Sequence, residues 1–206
     1  MASEKKLFRE TRAYPVVFML AITIIFIGIL ATIYQLTLER VESYRQTMLK
    51  KMVLSVFDLP VEDIDKNFDK YITLSNIDNL MYYEAVSDSI LMGYCFPISG
   101  SGLWGTIQAL LSVTPDFDKI INIDILEQNE TPGLGGRITE DWFKNQFQGK
   151  TLLIDDEPQL FSMIPENEKA KSNEICQITG ATASSKAVVD MIYKNVVKYS
   201  PKLRAE

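Results

Sequence analysis

The sequence predicts an α+β protein in which one N-terminal transmembrane helix precedes a domain with a mainly antiparallel sheet and flanking helices. Two patterns carry this prediction. The 26 residues from Ala13 to Leu38 contain no charged side chain. After about residue 76, short segments rich in β-branched and aromatic residues alternate with glycine, Pro-Asp and Ser-Asp turns, which is typical of strands. The 206 residues, 47% of them apolar, suffice for one medium-sized domain and a small addition.

The membrane span is predicted over residues 14–37. Val16–Ile33 is almost unbroken apolar sequence, and about 20 such residues of helix cross the hydrocarbon core of a bilayer. A core helix this apolar would need protein on every side, and a signal peptide usually has a shorter apolar region of about 7–15 residues. Tyr14 and Tyr34 lie at the two ends, where aromatic rings favour the headgroup level. We therefore expect a retained single-pass helix.

The charges beside this span predict its orientation. Residues 1–13 carry two acidic side chains and four basic ones, which are Lys5, Lys6, Arg9 and Arg12. The opposite flank, from Glu39 to Arg45, alternates in sign. The positive-inside rule therefore places residues 1–13 in the cytoplasm and the domain on the extracytoplasmic side of the inner or cell membrane.

Residues 38–75 are predicted to form stalk and linker helices. Apolar side chains recur every three or four residues up to Pro60, at Val41, Tyr44, Met48, Met52 and Val56. A second short helix is predicted over 61–72, where Ile64, Phe68 and Ile72 repeat every four residues.

Residues 76–206 are predicted to form the extracytoplasmic domain. Strands are expected within Met81–Ser99, Thr106–Val113, Lys119–Leu126, Thr151–Asp155 and Glu174–Gly180. An amphipathic helix capped by Thr139 carries Trp142, Phe143, Gln146 and Phe147 and stops at Gly149. The last helix, Thr182–Tyr199, carries an apolar stripe formed by Val188, Val189, Ile192, Val196 and Val197.

Composition removes several classes of chemistry. The chain has no histidine, which excludes catalysis by imidazole and any zinc site that contains histidine. Residues 13–206 carry a net charge of −8, so we expect no binding to nucleic acid. Cys95 and Cys176, 81 residues apart, are too few for a disulfide scaffold or a four-cysteine metal site, and the sequence leaves open whether they pair. We expect no metal site.

Residues 100–105 match the pattern GxGxxG, and Asp124 follows about twenty residues later, as in a dinucleotide-binding fingerprint. Three observations oppose that interpretation: the next segment has the pattern of a strand, no second βαβ half follows, and the orientation places the loop outside the cytoplasm. The alternative is a glycine turn that joins two strands and tucks Trp104 inward.

Two further segments are rich in glycine or hydroxyl groups. Glu130–Gly136 lies between a predicted strand and a predicted helix, and is either a ligand loop or an ordinary connection. Thr179–Ser185 lies at a strand-to-helix turn, where backbone N–H groups and the helix dipole favour an anion near Thr182. Its alternative is a Thr/Ser helix cap without a ligand. The run Asp155-Asp156-Glu157 suggests a hydrolase only weakly, because such a run is usually a solvated turn.

Four motifs together resemble a known family. They are Gly102-Leu103-Trp104, the segment ETPGLGG at Glu130–Gly136, the Trp142 helix that ends in Gly149-Lys150, and Thr179-Gly180-Ala181-Thr182. In this order, almost end to end, the chain resembles the covalent-FMN subunits of ion-pumping redox complexes, which are the G subunit of the Rnf complex and the C subunit of the Na+-translocating NADH:quinone reductase (Nqr). GLW and ETPGLGG resemble the Nqr branch, whereas the length and the SSKAVVD continuation resemble the Rnf branch.

The resemblance implies one covalently bound FMN, joined through its phosphate to the Thr182 hydroxyl by a flavin transferase. The family commonly has Asp where Cys176 stands here, so either the transferase tolerates the change or attachment is less efficient. The implied cofactor-binding residues are Thr182, Thr179, Gly180, Ala181, Ser184, Glu130, Thr131, Pro132, Gly133, Leu134, Gly135, Leu103 and Trp104, with Leu134 and Trp104 beside the flavin ring.

The resemblance further implies an electron-transfer subunit of a redox-driven ion translocase, with other membrane subunits of an Rnf- or Nqr-type complex and the flavin transferase as partners. The alternative is a membrane-anchored extracytoplasmic binding module without a cofactor.

Overall fold

The computed structural model describes residues 13–154 and 157–204, which fall into two compact units divided between Gln46 and Thr47. The described part of the first unit is mainly helix α1, which runs without interruption over Tyr14–Ser55 and continues into the second unit. Among the described residues, α1 is the one helix long and apolar enough to cross a membrane, and its most apolar window has no buried residue. Of the predicted cytoplasmic segment, residues 1–12 lie outside the described residues.

The second unit is built on one antiparallel sheet. Its five strands follow the chain order, and they are β1 (Ile72–Ile77), β2 (Leu80–Ser87), β3 (Ile90–Ser101), β4 (Thr106–Val113) and β5 (Ile120–Glu127). Turns at Asp78–Asn79 and Asp88–Ser89, all with positive φ, connect the first three strands and suit the right-handed twist of hairpins. The predicted meander is therefore confirmed, with the addition of β1, which begins inside the segment predicted as linker.

One face of the sheet packs against the long C-terminal helix α4 (Thr182–Leu203). The Phe96 and Tyr199 rings stack with centroids 4.2 Å apart. The predicted stripe on α4 is buried at Val188, Val189, Ile192 and Val196. Val197 is exposed, which corrects the prediction, because it lies about 180° around the helix from Val188, whereas the four buried positions lie within about 100° of one another.

The other face is covered by the end of α1 and by α2 (Ile64–Tyr71), which confirms the predicted linker helix. Val53, Leu54 and Phe57 are buried there together with strand residues such as Leu110. Ser112 Oγ, near the end of β4, has one hydroxyl hydrogen and lies within hydrogen-bond distance of two carbonyl oxygens, Val56 O at 3.0 Å and Asn122 O on β5 at 3.1 Å.

The segment after β5 is less regular than predicted. A 3₁₀ turn (Gly135–Thr139), the short helix α3 (Asp141–Lys144) and a second 3₁₀ turn (Asn145–Phe147) replace one capped helix. Thr139 does not cap α3, because its hydroxyl donates to Gly136 O at 3.0 Å within the preceding turn. Gly149 ends the segment with φ +70°, as its position predicts.

Two small strand pairs fill the remaining chain. β6 (Leu153–Ile154) pairs with β7 (Glu157–Pro158), and β8 (Ser162–Ile164) pairs in parallel with β9 (Glu174–Cys176). β6 and β9 lie within the strands predicted over Thr151–Asp155 and Glu174–Gly180, and both are shorter than predicted. Asp155 and Asp156, on which the hydrolase interpretation rests, lie outside the described residues. Cys95 and Cys176 are buried free thiols and do not pair.

Candidate cofactor site

The three glycine- and hydroxyl-rich segments of the sequence meet at the N-terminal end of α4. The first is the turn between β3 and β4, which Gly102 N closes by donating to Gly105 O at 2.7 Å. Since β4 is a strand in an antiparallel sheet, residues 100–105 are not a dinucleotide-binding fingerprint, and the interpretation as a glycine turn is confirmed. Trp104 is 71% exposed rather than tucked inward.

Glu130 joins this turn to α4. The residue is only 5% exposed. Its Oε1 accepts hydrogen bonds from Leu103 N at 2.8 Å and Trp104 N at 3.1 Å. Its Oε2 accepts a hydrogen bond from Ser184 Oγ at 2.6 Å, in the first turn of α4. One carboxylate thus connects the first segment, the Glu130–Gly136 loop that carries it, and the helix.

Two glycines make room for this carboxylate. A Cβ added to Gly102 would overlap Glu130 Oε1, and a Cβ added to Gly135 would overlap Ser184 Oγ and come within 2.8 Å of Glu130 Oε2. Gly133 differs, because its φ is +73° and an added Cβ would meet open space. The absence of a side chain at Gly135 therefore lets the backbone lie close to the Glu130–Ser184 pair. At Gly133 it lets the loop adopt a positive φ.

The motif Thr179–Thr182 forms a tight turn and then enters α4. Ala181 N donates to Ile178 O at 2.9 Å, and Gly180 takes φ +78°. Thr182 is exposed and is the first residue of the helix, and the preceding Ala181 makes no side-chain cap. The alternative of a Thr/Ser cap is therefore wrong. The first N–H groups of the 22-residue helix lack intrahelical partners, so an anion is favoured beside Thr182.

A hydroxyl inside the domain supports the motif turn. Ser185 Oγ accepts a hydrogen bond from Ile178 N at 2.9 Å and donates to Ala181 O at 3.0 Å, and the residue is completely buried. The turn that presents Thr182 is therefore fixed from the core side.

A second carboxylate, absent from the sequence prediction, lies on the other side of the motif. Glu166 Oε2 accepts a hydrogen bond from Thr179 N at 2.7 Å, and Glu166 Oε1 is 2.8 Å from Arg137 Nη2. The Arg137 guanidinium, followed by the Thr179 N–H, holds the pKa of Glu166 at about 2. Arg137 also binds Glu140, with Nε to Oε2 at 3.2 Å, and lies 5.3 Å from the centre of the Trp142 ring.

Large apolar side chains are exposed on the joined segments. Leu103 is 60% exposed, Trp104 71% and Leu134 44%. Leu134 reaches the motif, since its Cδ2 would lie 3.1 Å from a Cβ added to Gly180. Exposed apolar groups beside a helix N-terminus fit a ligand with a flat apolar ring and an anionic end. FMN, the cofactor that the resemblance implies, has both of these parts.

The structure brings most of the residues in the sequence prediction together in this region. Thr131 and Pro132 are exposed on the loop, where Thr131 O accepts hydrogen bonds from the backbone N–H groups of Leu134 and Gly136. Arg137 and Glu166 were missed because a lone arginine after a loop and a glutamate in an irregular segment have no distinguishing spacing. Within residues 13–154 and 157–204, no cluster of three cysteine or carboxylate side chains suits a metal.

Comparisons with known proteins agree with this chemistry. The family of FMN-binding domains matches residues 102–196. The G subunit of the proton-translocating ferredoxin:NAD(+) oxidoreductase complex of Clostridium ljungdahlii is 31% identical over 160 residues, which are 78% of this chain and 76% of that protein. The C subunit of the Na(+)-translocating NADH-quinone reductase of Chlamydia pneumoniae is 38% identical over 90 residues, which are 42% of this chain and 28% of that protein.

The fold has a counterpart among solved structures. NqrC of Shewanella oneidensis superposes on this chain with a TM-score of 0.70. The superposition covers 80% of this chain and 100% of the NqrC chain. The two sequences are 18% identical, so this likeness concerns the fold.

Proposed function

Because the chain belongs to the FMN-binding family that includes the Rnf and Nqr flavin subunits, we propose that it carries FMN bound covalently to Thr182. The observation that supports this most is the position of Thr182. Its hydroxyl is exposed on the first residue of α4, beside N–H groups that have no intrahelical partners. A phosphate at this hydroxyl gains both those donors and the positive end of the helix dipole.

Attachment requires a flavin transferase as a partner during maturation. Thr182 Oγ1 loses its proton and bonds to the flavin-side phosphorus of a dinucleotide donor such as FAD. The bond from that phosphorus to the bridging oxygen breaks, so that AMP leaves with the bridging oxygen and the FMN group stays on the threonine. A covalent link keeps the local concentration of the cofactor high in a domain from which a dissociated flavin would be lost.

The surrounding side chains orient the cofactor. Leu103, Trp104 and Leu134 offer apolar surface to the ring, and Glu130 fixes the backbone that carries the first two. FMN, when bound, supplies transfer of one or two electrons. The protein therefore has to hold and shield the ring, and no acid, base or nucleophile of the chain is required.

The chain is an FMN-binding subunit of an ion-translocating oxidoreductase complex of Rnf or Nqr type, so its partners include other subunits of that complex. Within such a complex we assign it the role of an electron relay. Helix α1 anchors it to the membrane. We propose that the N-terminus is cytoplasmic and the flavin domain extracytoplasmic, since the basic residues precede the span.

The attachment site is tested with Thr182→Ala and its matched control Thr182→Ser, each coexpressed with a flavin transferase. Intact mass and in-gel flavin fluorescence are measured on the denatured full-length chain. We expect the alanine variant to lose the added mass and the fluorescence, and the serine variant, which keeps a hydroxyl, to retain both. A fluorescent alanine variant would refute the site, and a colourless native protein would favour the cofactor-free binding module.

Orientation is tested separately with Lys198→Cys, which introduces an exposed thiol into a chain whose own cysteines are both buried. We expect a membrane-impermeant thiol reagent to label this variant in intact cells and to leave the native chain unlabelled. Labelling only after lysis would place the domain in the cytoplasm.

A further inference from the structure

Arg137 and Glu166 connect two segments of the candidate site through side chains. Arg137 follows the Glu130–Gly136 loop, and Glu166 lies in the irregular chain after β8. Two guanidinium nitrogens contact the two carboxylate oxygens, with Nη2 to Oε1 at 2.8 Å and Nη1 to Oε2 at 3.4 Å. Such a paired contact fixes orientation as well as distance. Glu166 Oε2 also accepts the hydrogen bond from Thr179 N at 2.7 Å.

The motif turn depends on side chains for its position. β9 ends at Cys176 and α4 begins at Thr182, so Thr179 N–H belongs to neither a strand ladder nor the helix. Ser185 holds the turn from the core side through Ile178 N and Ala181 O. Glu166 holds it from the outer side, at the residue three positions before the proposed acceptor hydroxyl.

The charge of Arg137 makes a carboxylate acceptable in this place. Glu130 already places one carboxylate, bonded to neutral donors, at the first turn of α4, and the negative charge of a second carboxylate, Glu166, would add to the repulsion of an anion bound there. Arg137 offsets that charge, and Arg137 itself is fixed by Glu140 Oε2 at 3.2 Å and by its position over the Trp142 ring. The side chains of Arg137 and Glu166 are only 25% and 20% exposed.

We propose that Glu166, held by Arg137, is a positioning residue that fixes the Thr179 end of the motif turn and thereby holds the flavin on Thr182 in one orientation. The proposal rests on the proposed function. Glu166 does not have to touch the flavin or take part in its attachment, because it binds the backbone of Thr179, whereas the proposed acceptor is the side chain of Thr182, three residues later.

The test compares full-length, flavin-loaded Glu166→Gln, Glu166→Ala and Arg137→Gln. The control is Glu168→Ala, which removes an exposed carboxylate two residues away. Four quantities are measured on each: flavin per chain by intact mass, visible circular dichroism of the flavin, its fluorescence anisotropy and its midpoint potential. We expect normal flavin content in all variants. Glu166→Ala should lose most of the flavin circular dichroism, lower the anisotropy and shift the potential toward that of free FMN.

Glu166→Gln and Arg137→Gln should show the same changes more weakly, because both lose the paired contact but keep an acceptor for Thr179 N, which is the glutamine oxygen in the first variant and the Glu166 carboxylate in the second. Glu168→Ala should match the native protein. If Glu166→Ala fails to fold, the same measurements on Glu166→Gln and Arg137→Gln test the positioning role. Native values of circular dichroism, anisotropy and potential in folded Glu166→Gln and Arg137→Gln would overturn the positioning role. A native chain without covalent flavin would instead refute the proposed function.

Discussion

Replacing Glu130 with alanine is expected to destabilise the domain strongly, because one carboxylate accepts hydrogen bonds from two segments. Its partners are Leu103 N, Trp104 N and Ser184 Oγ, at 2.8, 3.1 and 2.6 Å. Hydrogen bonds to charged groups contribute about 1.5–3 kcal/mol each, and a buried donor left unsatisfied costs about 1–3 kcal/mol. Water can replace the carboxylate at the two amides of the exposed turn, whereas the Ser184 hydroxyl stays buried.

These contributions give a loss of about 3–5 kcal/mol in the free energy of unfolding for Glu130→Ala. Glu130→Gln should lose about 1–2 kcal/mol, because the amide oxygen still accepts from both N–H groups and the Ser184 hydroxyl can accept from the amide nitrogen. Urea unfolding of the full-length chain in detergent measures both values through tryptophan fluorescence, since both tryptophans lie in the second unit.

The matched control is Glu127→Ala, which removes an exposed carboxylate three residues earlier in the chain. It should stay within about 0.5 kcal/mol of the native protein, as is usual for surface substitutions. A Glu130→Ala variant that is equally close to native, with an unchanged denaturant slope, would show that the carboxylate does not hold the two segments together.

Three further outcomes are expected. Gly135→Ala should lower the melting temperature more than Gly133→Ala, because its new methyl group overlaps Ser184 Oγ and crowds Glu130, whereas Gly133→Ala meets open space and only the strain of positive φ, about 1–3 kcal/mol. Ser112→Ala should lose about 1–3 kcal/mol in urea unfolding, since its buried hydroxyl shares one hydrogen between two backbone carbonyls, Val56 O and Asn122 O. The folded pKa of Glu166, about 2, lies below its ordinary 4.5, so its stabilising effect is complete above about pH 5 and disappears as pH falls towards 2. The stability difference between the native chain and Glu166→Gln, measured across that range, should shrink accordingly.

Three results would contradict these expectations. Equal melting temperatures for the two glycine variants would mean that the Gly135 backbone can move away from the carboxylate. An unchanged Ser112→Ala variant would mean that the hydroxyl does not stabilise the junction between the sheet and the segment after α1. A native-minus-variant difference for Glu166 that stays constant through acid pH would mean that its carboxylate keeps an ordinary pKa.

Periodicity and composition predicted the elements whose pattern is local. The uncharged run predicted the apolar part of α1, and alternating β-branched segments predicted β2 to β5. β1 was not predicted because Ile72 also fits the four-residue repeat of the preceding helix, and the five residues after it, TLSNI, are too few and too polar to indicate a strand. The segment after Thr139 has helical spacing, yet 3₁₀ turns flank its one short helix and the threonine hydroxyl bonds within the preceding turn. Local helix propensity does not decide between one regular helix and a short helix flanked by 3₁₀ turns.

The sequence by itself determined the apolar span, the meander, the absence of imidazole chemistry and, through the family motifs, the glycine loops and Thr182 as the candidate site. Only the tertiary structure decided which groups the side chains around the motifs contact. Glu130 turns out to bind the amides of a hairpin 26 and 27 residues earlier and a hydroxyl 54 residues later. Glu166 reaches Arg137, 29 residues away, and Thr179, 13 residues away. Hydrogen bonds of this kind depend on how separate segments pack, and no spacing within one sequence encodes that packing.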